Sequence, residues 1–105
     1  MSDLQSDLQP DLQVVATIPA TAEAADRIRT ALQELAEATR GEEGCLSYDL
    51  FESGSAAGTF VTVERWRDAA ALEAHMATPH VAAAFAAAAG GLSGEVAIHP
   101  LRPVG

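Results

Sequence analysis

The sequence predicts an α+β fold: a ferredoxin-like split βαβ arrangement, with one antiparallel four-stranded sheet and helices on one of its faces. Three observations predict it. Short β-branched apolar runs recur along the chain, amphipathic helical periods separate them in the order β-α-β-β-α-α-β, and 105 residues leave room for a single core.

The elements follow in order. Residues 1–11 read as a flexible extension, in which the units Ser2-Asp3-Leu4-Gln5 and Ser6-Asp7-Leu8-Gln9 repeat and Pro10-Asp11-Leu12-Gln13 continues the pattern with a helix-breaking proline. The folded domain is expected over 12–105. Gln13 to Ile18 is a β-branched strand that Pro19 stops. Thr21 suits a helix N-cap, with Glu23 and Asp26 near the positive end of the helix dipole. Ala25, Ile28, Leu32, Leu35, Ala36 and Thr39 form its apolar stripe, and Gly41 ends it. Gly44–Glu52 and Thr59–Arg67 are expected to pair as a hairpin across the small-residue loop 53–58. Asp68 caps a short helix that carries Leu72, His75 and Met76 inward. Thr78-Pro79 opens another, with Pro at the first helical position and Val81, Ala84, Phe85 and Ala88 as its buried stripe. Gly90, Gly91 and Gly94 break that helix, and Glu95 to Leu101 makes the last strand.

Strict alternation places Leu46, Tyr48 and Leu50 on one side of the second strand, with Cys45 and Phe51 on the other. In the third strand, Phe60, Thr62, Glu64 and Trp66 oppose Val61 and Val63. Both faces of the sheet thus carry apolar groups while helices cover only one. A second copy of the chain on the free face, giving a homodimer, is the simplest cover.

Composition narrows the function. With 15 acidic against 6 basic residues the formal net charge is −9, which repels phosphate backbones and anionic membranes, so neither nucleic acid nor membrane is an expected partner. The single cysteine, Cys45, forms no internal disulfide and reads as a small core residue. With no secretory leader and no run long enough to span a bilayer, a cytoplasmic location is expected. Glycines are scattered through turns rather than gathered in a phosphate loop. His75 and His80 are five residues apart with Pro79 between them, so they share no helix face, and no metal site is expected.

The residues left to carry chemistry centre on Glu64, Trp66 and His75. Glu64 and Trp66 share a strand face with Phe60 and Thr62. Either Glu64 pairs with an arginine beside a packed indole, or the four contribute to a small-molecule cavity with an aromatic wall. His75 is either a hydrogen-bonded packing residue or a base suited to a phenolic proton near neutrality. Tyr48, Met76, His80 and Phe85 complete the candidate substrate contacts, and His99 is expected at the surface or an interface.

The series Glu43-Gly44-Cys45-Leu46-Ser47-Tyr48, Val63-Glu64-Arg65-Trp66, Leu72-Glu73-Ala74-His75-Met76 and Thr78-Pro79-His80-Val81 resembles the antibiotic biosynthesis monooxygenase family, and its quinol monooxygenase branch in particular. The resemblance implies a dimeric α/β barrel. It also implies oxidation of quinols or polyketide-like phenols by molecular oxygen with no cofactor. Trp66 would then form the aromatic wall, His75 or His80 would deprotonate the substrate, and Glu64 or Tyr48 would orient it. The haem-degrading branch is expected to carry an asparagine on strand one and a late helical histidine, where this chain has Ala16, Thr17 and Phe85. A binding protein without turnover, or an isomerase on the same barrel, are the other functions the resemblance allows.

Overall fold

The computed structural model describes residues 11–105. Residues 1–10, with the first two copies of the repeat, therefore lie outside the described residues; Asp11 pairs its carboxylate with the Arg65 guanidinium. The elements are β1 (Leu12–Pro19), α1 (Ala25–Thr39), β2 (Cys45–Glu52), β3 (Thr59–Trp66), α2 (Ala69–Met76), α3 (Pro79–Ala88) and β4 (Ala97–Pro100). The strands form one antiparallel sheet in the order β2-β3-β1-β4, the expected split βαβ topology. No helix of the described residues is long and apolar enough to cross a membrane.

Alternation sorts the central strands. Val14, Ala16 and Ile18 of β1 and Phe60, Thr62, Glu64 and Trp66 of β3 are buried on the helix side. The register sets Val14 against Glu64, Ala16 against Thr62 and Ile18 against Phe60. Ile28, Leu32, Leu35, Ala36 and Thr39 of α1 close over them, as the three- and four-residue spacing predicts. Full burial of side chains such as Trp66, Phe60 and Ile28 contributes about 1.5–3 kcal/mol each.

Four expectations need correction. In β2 a bulge between Cys45 and Ser47 consumes one residue, so Cys45 pairs with Trp66 and Tyr48 with Glu64. Cys45 therefore packs with the Trp66 cluster, while Leu46 is turned out to 48% exposure. Thr21 caps a preceding turn through its Oγ1, 3.2 Å from the Ala24 nitrogen, and α1 itself starts at Ala25. Phe85 and Met76, expected to be buried, are 46% and 39% exposed, because they stand at the open side of a cavity. The last strand is shorter than 95–101: Ala97–Pro100 pairs in register with β1, and Leu101 adds one hydrogen bond to the Gln13 carbonyl at 2.8 Å. The caps of α2 and α3 lie where the sequence puts them: Asp68 accepts from the Ala71 nitrogen at 2.9 Å, and Thr78 from the Val81 nitrogen at 3.3 Å.

Gly44 decides how close α2 comes to the turn between α1 and β2. A Cβ there would lie 2.3 Å from the Ala71 Cβ, so no larger residue allows this approach without a shift. The contact sets the first turn of α2 against the chain that follows Glu42, and His75 in the last turn of that helix meets the Glu42 carboxylate.

Candidate active site

A cavity of about 70 Å3 lies between the sheet and the helices. Its wall is mostly apolar, with Ala16 and Ile18 from β1, Leu32 and Leu35 from α1, and Val81, Ala84 and Ala88 from α3. Tyr48, Thr62, Glu64 and His75 supply its polar groups, and the exposed Met76, Phe85 and Ile98 stand at its mouth. An apolar hollow with a few converging polar groups is the usual makeup of a small-molecule site.

Glu64 sits on the inner face of β3, only 5% exposed. It pairs with no arginine. One carboxylate oxygen accepts from the Thr62 hydroxyl at 2.5 Å and the other from the Trp66 indole nitrogen at 2.9 Å. Two donors, each two residues away on the same strand face, hold the carboxylate in one orientation. Trp66 itself is fully buried and does not line the cavity, which corrects its expected place as the aromatic wall. Its ring lies behind His75, with centroids 4.7 Å apart and planes tilted by 42°. The indole thus braces the imidazole and Glu64 at once. Phe60 is likewise buried outside the cavity wall, beneath the Arg29 guanidinium at 5.3 Å.

His75 is 4% exposed and lines the cavity. Its Nδ1 lies 2.7 Å from Glu42 Oε2, and the same oxygen lies 2.6 Å from His80 Nε2. With the carboxylate ionised both ring nitrogens donate to it, which sets the His75 tautomer so that Nε2 carries a lone pair. Among the described residues Nε2 has no hydrogen-bond partner. The two histidines, which share no helix face, meet because the chain turns between α2 and α3. Thr78 donates to the His75 carbonyl from its nitrogen at 3.1 Å and its hydroxyl at 2.7 Å, and Pro79 then restarts the helix. His80 does not line the cavity; its ring lies 6.1 Å from that of His75, on the same Glu42 oxygen.

Glu42 is the member of this group that the sequence did not single out. Only its place in the acidic pair after Gly41 hinted at a role, and nothing local says that it reaches residues 33 and 38 positions later. His99 is exposed on β4, away from this group.

Burial, with the Glu64 charge paired across the strands, pushes the Tyr48 phenol far above its ordinary range. It therefore stays a neutral hydrogen-bond donor throughout the physiological range. Burial also pushes the Cys45 thiol up, helped by the Glu42 charge, so it is no ready nucleophile.

Residues 12–87 match the model of the antibiotic biosynthesis monooxygenase family. A solved structure described as an antibiotic biosynthesis monooxygenase superposes with a TM-score of 0.83 at 34% identity, covering 90% of this chain and 99% of its own. PA3566 from Pseudomonas aeruginosa gives 0.83 at 33% identity, over 93% of this chain and 98% of its own. Rv0793 from Mycobacterium tuberculosis gives 0.82 at 34% identity, over 90% and 96%. In sequence, YcnE of Bacillus subtilis is 46% identical over 48 residues and Rv0793 is 41% identical over 58; both carry a provisional monooxygenase designation. These aligned segments are 46% and 55% of this chain and span about half the length of the two relatives, 50% and 56%.

Proposed function

The chain belongs to the antibiotic biosynthesis monooxygenase family, and from that premise we propose that it oxidises a small electron-rich phenol, of quinol or polyketide-like type, with molecular oxygen and no bound cofactor. The observation that carries this reading is the His75 ring, anchored at Nδ1 by Glu42 and braced by Trp66, at the wall of an apolar cavity. A carboxylate behind an imidazole orients the base and stabilises the imidazolium that forms when it takes a proton.

His75 Nε2 takes the proton of one substrate hydroxyl. The resulting phenolate is electron-rich enough to pass one electron to oxygen, giving a phenoxyl radical and superoxide. Their recombination at a ring carbon gives a peroxide anion that takes the proton back from His75 to become a hydroperoxide, and loss of water with the hydrogen of that carbon leaves a carbonyl. For a hydroquinone the balance is quinol plus O2 giving hydroxyquinone plus water. Charge sets the orientation. Glu64 repels an anion, so the ionised oxygen belongs at the His75 end and the un-ionised hydroxyl donates to Glu64. The neutral Tyr48 phenol is a donor for the same ring. The hollow is about half the roughly 150 Å3 that encloses a benzene ring, so the ring extends into the mouth between Met76 and Phe85.

A homodimer belongs to the same proposal. On the uncovered sheet face Phe51 and Val63 are 54% and 43% exposed, beside half-buried Val15 and Val61. A second copy would bury that surface. Sedimentation of wild type and Val63→Asp tests the pairing, with a dimer and a monomer as the expected species.

Oxygen uptake with a panel of hydroquinones tests the chemistry. Wild type is expected to consume oxygen in proportion to quinol, and His75→Ala to lose about 10²–10⁴ of the rate. Equal turnover under nitrogen, or ligand-dependent melting shifts without oxygen consumption, would refute the oxidation.

A further inference from the structure

We propose that Glu42, His75 and His80 form a binding site for a divalent first-row transition ion, with zinc as its simplest occupant. One ligand atom from each of the three residues lies within 4.8 Å of the other two, and Glu42 Oε2 is hydrogen-bonded to both His75 Nδ1 and His80 Nε2. Two imidazoles and a carboxylate are the donor set that such ions take, whereas magnesium and calcium prefer oxygen alone.

Each ligand is held by its backbone. The Glu42 nitrogen donates to the Thr39 carbonyl at 3.0 Å, and its own carbonyl accepts from Cys45 at 3.1 Å. Thr78 ties the end of α2 at His75, and the Thr78 cap with Pro79 fixes the first turn that carries His80. The three side chains therefore converge with little freedom left to lose. Around a tetrahedral ion with bonds of about 2.1 Å, ligand atoms stand about 3.4 Å apart. The carboxylate oxygen now lies 2.7 and 2.6 Å from the two nitrogens. Exchanging two N–H protons for one ion thus lengthens each of these two oxygen–nitrogen separations by less than about 1 Å. Side-chain exposures of 5% for His75, 15% for Glu42 and 27% for His80 give an entry path from the His80 side and leave a coordination position to water. The net charge of −9 draws cations to the surface.

Occupancy has a chemical consequence that rests on the proposed oxidation. An ion on His75 Nδ1 forces the ring proton onto Nε2, the nitrogen that would accept the substrate proton. Metal binding and base catalysis are then mutually exclusive, and zinc is an inhibitor.

The test uses the full-length, chelator-treated chain titrated with Co2+, read by its visible absorption, and with Zn2+, read by calorimetry. One equivalent is expected to bind. Glu42→Gln and His80→Ala are expected to weaken binding at least 100-fold, while Cys45→Ser and His99→Ala leave it unchanged. Circular dichroism checks the fold of each, and Glu42→Gln is near-isosteric should His80→Ala unfold. No cobalt band with the folded wild type, or equal affinity in Glu42→Gln, overturns the site. Binding is measured without substrate, so the two proposals fail separately. A chain that binds the ion but consumes no oxygen overturns the oxidation alone, and one that consumes oxygen but binds no ion overturns the metal site alone.

Discussion

The chain has one tyrosine, and its six basic residues are all arginines. Alkaline titration therefore isolates Tyr48. In an unfolded chain a phenol ionises near pH 10, an arginine only above about 12. In the folded chain, burial and the Glu64 charge hold the Tyr48 proton far beyond pH 10. Between those limits the unfolded state binds fewer protons than the folded one, so stability is complete below about pH 10 and falls as pH rises further. The slope approaches about 1.4 kcal/mol per pH unit, roughly 2.7 kcal/mol by pH 12. Against a typical total of about 5–15 kcal/mol that loss is readily measured. Cys45 is shifted in the same direction, starting from a lower pH, so the experiment belongs in a Cys45→Ala background. Urea melts at stepped pH, followed by emission of the single tryptophan, Trp66, give the stability. Tyrosinate absorbance reports Tyr48 directly. Absorbance should rise only together with unfolding, and Tyr48→Phe should flatten the slope above pH 10. Tyrosinate forming near pH 10 while Trp66 emission remains native would refute the reasoning, and with it the burial of the Tyr48 hydroxyl beside Glu64.

The other predictions concern single contacts. Glu42→Gln should lower kcat about 10–100-fold with KM little changed, the scale of a hydrogen bond to a charged group, in steady-state oxygen uptake. Glu64→Gln should be nearly neutral to thermal stability, because its amide can donate to the Thr62 hydroxyl while its oxygen still accepts from Trp66. Glu64→Leu strands the indole N–H and should cost about 1–3 kcal/mol in chemical denaturation. Gly44→Ala should lose about 1–3 kcal/mol, and the double variant Gly44→Ala with Ala71→Gly should recover part of it, since the clash is between those two Cβ positions. Thr39 Oγ1 is buried without a partner among the described residues, so Thr39→Val should raise the melting temperature, at about 4–8 °C per kcal/mol gained.

The fold was legible because its determinants are local. Alternation in β3, the apolar stripe of α1, and the Asp68 and Thr78-Pro79 caps each depend on residues a few positions apart. The β2 bulge shows where that logic ends. Nothing in Cys45-Leu46-Ser47 marks an extra residue; the partner strand decides, because the buried Trp66 takes Cys45 as its neighbour and leaves Leu46 unpaired. Parity along a strand then misassigns the side chains before the bulge while remaining right for Tyr48 and Leu50 beyond it.

The site was legible by residue type and not by arrangement. Glu64 and His75 stood out as polar groups at inward positions, and both do line the cavity. Trp66 was the natural choice for its wall because it shares a strand face with Glu64, yet that same sharing puts its N–H on the carboxylate and its ring behind the imidazole. A large aromatic residue that braces a base is indistinguishable in sequence from one that touches a ligand. The histidine pair failed for a different reason. Helix-face arithmetic assumes one continuous helix, and between His75 and His80 the chain leaves α2 and starts α3. The turn that separates them in sequence logic is what folds both onto Glu42. The distances of 2.7 and 2.6 Å therefore depend on three backbone segments meeting, with Gly44 setting how near the first can come to the second. Only a three-dimensional packing constraint could have named Glu42, and Gly44, two residues on in the chain, is where that constraint is written.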